Sequence, residues 1–165
     1  MRVESAPAVR TPEAEETLDV ALGPSHDAWL AEARQLLVPA AHPTAPFWDR
    51  WPVVSYLNDR FPGRLRVERA LVGSLRAFVP ADEVDALEAE GDRVFRLHLE
   101  LDRIARRRGS AGEFAATTAE FLNVLELWCL DVERIGRQVR CNEMPEEAQL
   151  MLSRLGAPSQ TVSRL

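Results

Sequence analysis

Apolar residues recur at spacings of three and four along most of this chain, the signature of helices that bury one face. Trp29, Leu30, Ala33 and Leu37 share such a face on a helix predicted from Ser25, a suitable capping residue, to about Val38. Pro39, Pro43 and Pro46 make the next stretch a loop. Phe47, Trp51, Val54 and Phe61 mark a helix from about Pro46 to Arg60, in which Pro52 demands a kink or a start nearer residue 50. The Pro62-Gly63 pair reads as another interruption. Val67, Leu71, Leu75 and Phe78 then lie along a helix from Arg64 to Phe78. Two longer stripes follow: Val84, Leu87, Val94, Leu97, Leu101 and Ile104 over Pro80 to Arg108, and Phe121, Leu125, Trp128, Val132, Ile135 and Val139 over Ala111 to about Arg140. The turn Arg108-Gly109-Ser110 separates them, and Ser110 with Glu113 has the spacing of a capping box. A last helix is expected to start near Pro145, use Leu150, Met151 and Leu155, and stop at Gly156.

No segment alternates with a period of two, so the fold class is all-α. Two long helices joined by a short turn pack as antiparallel neighbours, and the earlier helices supply the remaining faces. The expected architecture is an up-down antiparallel four-helix bundle over residues 25–156, with extra short helices at the N- and C-terminal ends. Residues 1–24 read as a flexible arm rich in Ala, Pro and Glu, with room for a short helix from Thr11-Pro12-Glu13 to Leu22 before Gly23-Pro24. Residues 157–165 read as a loose tail.

Composition narrows the functional classes. The 165 residues fit one domain of ordinary core size, 46% hydrophobic and 28% charged. No run approaches the roughly 20 apolar residues of a membrane span, and Met1 to Thr11 lacks the apolar core of a secretory signal. The expectation is a cytoplasmic protein with no membrane partner. All 20 basic residues are arginine, and the net charge is −6. That balance argues against nucleic acid, whose phosphates demand positive surface. Arg106-Arg107-Arg108 is explained by a helix C-terminus, where cations are favoured. Cys129 and Cys141, on one helix, stand about 18 Å apart and cannot bridge. No phosphate-binding glycine loop, nucleophile elbow or H-E-x-x-H motif occurs, so the reading leans away from an enzyme.

Candidate chemistry sits where polar groups interrupt apolar stripes, because burying them unpartnered costs free energy. Glu68 lies in line with Leu71, Leu75 and Phe78. His98 continues the series Val84, Leu87, Gly91, Val94. Asp131 falls between Trp128 and Ile135, at the edge of that face, and His26 stands at stripe spacing to Leu30 and Ala33. Glu68, His98, Asp131 and His26 are thus candidate metal ligands, with a satisfied polar network or a water-facing boundary position as the alternative for the first three and a terminal polar residue as the alternative for His26. His42 belongs to the proline-rich loop and is expected to be exposed. In Phe47-Trp48-Asp49-Arg50-Trp51 one helix face cannot bury three large rings, which makes Trp48 the candidate for an exposed contact residue or for packing under the N-terminal arm, with core packing as the competing expectation.

From about residue 25 to 140 the chain resembles a hemerythrin-like (HHE-type) bundle domain. Leu87-Glu88-Ala89-Glu90-Gly91-Asp92-Arg93-Val94 is similar to the family's Leu-Glu-x-x-His-x-x-Val segment, with Gly91 in the histidine slot. Arg64 to Glu68 and Leu127 to Asp131 are similar to its His-x-x-x-Glu motifs, keeping the carboxylates while Arg64 and Leu127 replace histidine. The family's diiron centre takes about five to seven His and carboxylate ligands, and this chain has three histidines. The resemblance therefore implies a degenerate relative without cofactor, acting through an unknown protein partner as a regulatory or accessory protein. The alternative is an iron protein with a rebuilt site for oxygen or redox sensing. A third reading has Gly91 opening a ligand pocket opposite Trp128.

Overall fold

Residues 25–143 are described by the computed structural model, and each regular element among them is helical. The helices are α1 (Ser25–Ala40), α2 (Trp51–Asn58), α3 (Arg60–Ser74), α4 (Ala81–Ala105) and α5 (Ala111–Glu143), with single 3-10 turns at Phe47–Arg50 and Leu75–Ala77. The arm over 1–24 with its short helix, capping by the Ser25 side chain, the helix expected from residue 145 to 156 and the tail over 157–165 lie outside the described residues. Among the described residues no helix is long and apolar enough to cross a membrane.

Proline chemistry explains the second and third helices. Pro52 occupies the first turn of α2, where its missing N–H has no intrahelical partner to lose, so the regular helix starts near residue 50 without a kink at Pro52. The break expected at Pro62-Gly63 falls earlier, at Asp59. Pro62 cannot donate to the carbonyl of Asn58, and its ring presses on that turn. The chain therefore opens three residues upstream, at Asp59, and restarts with Pro62 and Gly63 inside the first turn of α3. The amide Nδ2 of Asn58 donates to the Val54 carbonyl at 2.7 Å and to Asp102 Oδ1 at 2.8 Å, holding the break against α4.

The turn between α4 and α5 also differs from the sequence pattern. Gly109 has a φ of 75°, a left-handed conformation that favours glycine. The Ser110 hydroxyl does not form the expected capping box. It faces the carbonyls of Ile104 and Arg107 at 3.0 and 2.6 Å, while Glu113 pairs with Arg107. The buried Arg50 decides this arrangement, donating through Nη1 to Ser110 Oγ at 2.9 Å and to the Arg107 carbonyl at 3.1 Å. Its guanidinium lies over the Phe114 ring, 4.6 Å from the centroid. One arginine from the 3-10 turn thus holds the α4–α5 turn.

Cross-helix contacts give the packing sense. His26 meets Glu133 and Arg34 meets Glu126, so α1 and α5 run antiparallel. The same reversal of numbering joins α1 to α3 through His26–Glu68 and Glu32–Arg60, α3 and the 3-10 turn after it to α4 through Arg69–Asp92 and Arg76–Asp85, and α4 to α5 through Leu87–Trp128 and Arg93–Glu120. Phe61 is the hub of the interior. Trp29, Tyr56, His98 and Phe121 all pack on its ring, with centroids 5.2–5.9 Å away.

Candidate functional site

Three helices place charged groups in one buried cluster. From the first turn of α1, His26 reaches inward and is 1% exposed. Its Nε2 lies 2.8 Å from Glu68 Oε2 on α3, and its Nδ1 lies 3.1 Å from Glu133 Oε1 on α5. A neutral imidazole has one N–H and would turn a lone pair towards one carboxylate, whereas the imidazolium donates to both. Burial works against the charged ring, but the bonds to Glu68 and Glu133 outweigh it and raise the His26 pKa above 6.5. Arg64, one turn before Glu68, completes the cluster with Nη2 at 2.6 Å from Glu68 Oε1. That contact is an ion pair without hydrogen-bond alignment, since neither atom has a hydrogen-bond partner. The Arg64 guanidinium also lies 5.5 Å from the Trp29 ring centroid.

With His26 protonated, two cations meet two carboxylates and the cluster is neutral, the condition under which buried charge is tolerated. The imidazole stands between the two acids, each on its own ring nitrogen. Glu68 and Glu133 therefore diverge from the ring instead of converging on one point. Among the described residues no group of three or more His, Cys, Asp and Glu side chains is disposed to hold a metal ion. A diiron centre does not fit these residues. It would require His26 to lose a proton, Arg64 to leave Glu68, and further nitrogen donors to appear.

The sequence-derived candidates separate in space. Glu68 and His26 meet. His98 is buried on the far side of Phe61, with its Nδ1 2.7 Å from the Phe95 carbonyl, and desolvation lowers its pKa below 6.5. Asp131 is more than one-third exposed and lies 3.5 Å from Arg134. Burial raises the carboxyl pKa of Glu90 and the neighbouring Asp131 raises it further, so Asp131 belongs to the outer seam of α4 and α5. Leu127, the other position in that segment, is 52% exposed. The inward pair on α5 is shifted by two residues to Cys129 and Glu133, spaced as Arg64 and Glu68 are. Burial, with Glu68 and Glu133 nearby, pushes the Cys129 thiol up to about 12, leaving it protonated and unreactive.

Glu133 is the functional candidate that the apolar stripe did not single out. The available signal was its spacing of four from Cys129, another small residue on the inner side of α5. The Trp128 ring lies directly against Gly91, and a cleft of ≈300 Å³ lined by Arg69, Val72, Glu88, Asp92 and Trp128 lies beside it. A Cβ on Gly91 would stand 3.0 Å from Trp128 Cζ2, and the indole N–H donates to the Leu87 carbonyl at 3.0 Å. Trp48, by contrast, is 67% exposed and Trp51, three residues on, is 53% exposed.

The class defined by these observations is an all-α helical protein with a buried, charge-compensated His–Glu–Arg cluster. Comparison of the chain with protein-family models, curated proteins and solved structures finds no match.

Proposed function

We propose that the chain is an up-down antiparallel four-helix bundle of hemerythrin-like type that has lost its diiron site, has no enzymatic activity and acts through protein contacts as a regulatory or accessory protein. One observation carries the reading: the buried Glu68 is already met by Arg64 and His26, and the half-buried Glu133 by His26, so groups of the chain itself take the positions a metal would need. In this reading imidazolium and guanidinium supply the positive charge that metal ions supply in the family, so the bundle keeps its shape without iron. The contact surface is placed at the exposed Trp48 and Trp51, because large rings left in water at adjacent positions of one helical face favour burial against a partner.

The test is metal content and thermal stability of the protein expressed with added iron and purified without chelator. The expected result is a metal-free protein whose melting temperature ignores added iron. Stoichiometric iron with an oxo-bridge absorption band would overturn the proposal in favour of a rebuilt iron site.

A further inference from the structure

The outer face of α5 carries a pattern that the bundle itself does not use. Glu120, Asn123, Leu127, Leu130, Arg134 and Arg137 follow one another at alternating spacings of three and four, and all are exposed. Such a row forms a narrow stripe about 26 Å long, the kind of seam along which one helix packs on another. Leu127 and Leu130, at its centre, are half exposed, whereas Trp128 and Cys129 on the inner side are buried. An apolar centre between charged ends is the layout of a protein interface.

Charge along the stripe is ordered. The acid stands at its N-terminal end, the amide follows, and the two arginines close its C-terminal end. A parallel copy of α5 would set Glu120 against Glu120 and Arg137 against Arg137. An antiparallel copy, related by a twofold axis midway between Leu127 and Leu130, sets Glu120 against Arg137, Asn123 against Arg134 and Leu127 against Leu130, each contact occurring twice. The acids on the margins of the stripe are already compensated: Glu126 pairs with Arg34 at 2.8 Å, Asp131 faces Arg134 at 3.5 Å, and Glu133 is bound to His26. Arg137 has no ionic partner among the described residues. Glu120 meets Arg93 at 3.1 Å on the surface, where an acid keeps room for a second cation.

We propose that this face binds a second copy of the chain, as an antiparallel α5–α5 pair about a twofold axis. The pairing goes beyond the protein-contact reading, because Trp48 and Trp51 lie beside the α4–α5 turn that Arg50 holds, away from the middle of α5. One helix seam lies at the small end of specific interfaces, so the dimer forms with a Kd on the order of 10–100 μM.

Sedimentation equilibrium of the full chain from about 5 to 500 μM is expected to show a monomer–dimer equilibrium. Arg137→Glu and Glu120→Arg, both at exposed positions, should each weaken self-association by about tenfold, since each creates two like-charge contacts. An equimolar mixture of the two variants should recover the dimer, because acids at both ends of one stripe then meet arginines at both ends of the other. A chain that stays monomeric over the whole range overturns the proposal, and this is the result if another segment or a different protein covers the face. A dimer that survives both charge variants unchanged also overturns it, placing self-association elsewhere, as at the Trp48 face. So does a mixture that associates no better than either variant alone.

Discussion

Gly91 and His26 illustrate how single positions shape this interior. Glycine inside a helix ordinarily costs about 0.5–1 kcal/mol relative to alanine, so Gly91→Ala would stabilise an open helix. Here the added methyl meets the Trp128 ring at 3.0 and 3.3 Å, and that ring is anchored by its bond to the Leu87 carbonyl. A rigid, fully buried indole has little room to retreat, and overpacking of this kind costs about 1–3 kcal/mol. Gly91→Ala should therefore destabilise the protein by about 1 kcal/mol net in urea denaturation; a stabilised variant would show that Trp128 can shift. His26, Glu68 and Gly91 were visible in the sequence because each interrupts an apolar stripe. Glu133 was not, because α5 has polar residues on both margins of its stripe and nothing local says which margin faces α1. That choice is made by the roll of α5 against two neighbours, which hides Cys129 and Glu133 and turns Leu127 and Asp131 outward.

The helices themselves were largely legible, since their stripes run for several turns, but their ends were not. One interruption was displaced by a local proline and then fixed by a distant contact, and the other was decided by a partner distant in sequence. Pro62 moved the break upstream to Asp59, where Asn58 bonds to Asp102 of α4. Ser110 lost its local capping role to Arg50, 60 positions away. Arg50 carries a testable consequence, because it is buried with carbonyl, hydroxyl and aromatic-face partners. Arg50→Ala should cost about 2–3 kcal/mol of unfolding free energy through the lost charge-assisted bonds. Arg50→Lys should recover little of it, because an ammonium cannot reproduce the planar contact with Phe114 while donating to Ser110 and Arg107. Full rescue by lysine in a thermal melt would show that charge alone suffices at this turn.

The two buried histidines give the whole molecule opposite responses to pH. His26 has a raised pKa, so its contribution to stability is fully present below 6.5 and is lost as pH rises through its folded value. His98 has a lowered pKa, so its contribution is present above 6.5 and is lost as pH falls from there towards its folded value. With respect to these two residues, stability should peak near pH 6.5 and decline on both sides. His98→Gln is expected to flatten the acid side of that profile, and His26→Gln the alkaline side, in melting temperatures measured across pH. An alkaline slope unchanged in His26→Gln would mean that the ring is not the group losing its proton. The all-helical class was readable from periodicity, but this pairing of opposite titrations depends on which histidine meets carboxylates and which meets a carbonyl and phenyl rings.

The His26 cluster also sets an order of events. Its members come from three helices, and His26 is separated from Glu68 by 42 positions and from Glu133 by 107. Local chain contacts cannot assemble it. It closes only when α1 docks on α3 and α5, after the local α4–α5 hairpin has had the chance to form. Contacts completed after the folding barrier govern escape from the native state more than arrival at it. Removing the imidazole should thus shorten the lifetime of the folded protein, with His26→Ala raising the unfolding limb of a chevron plot and barely slowing refolding. The cluster then acts as a clasp on the native state, fastened last and released first.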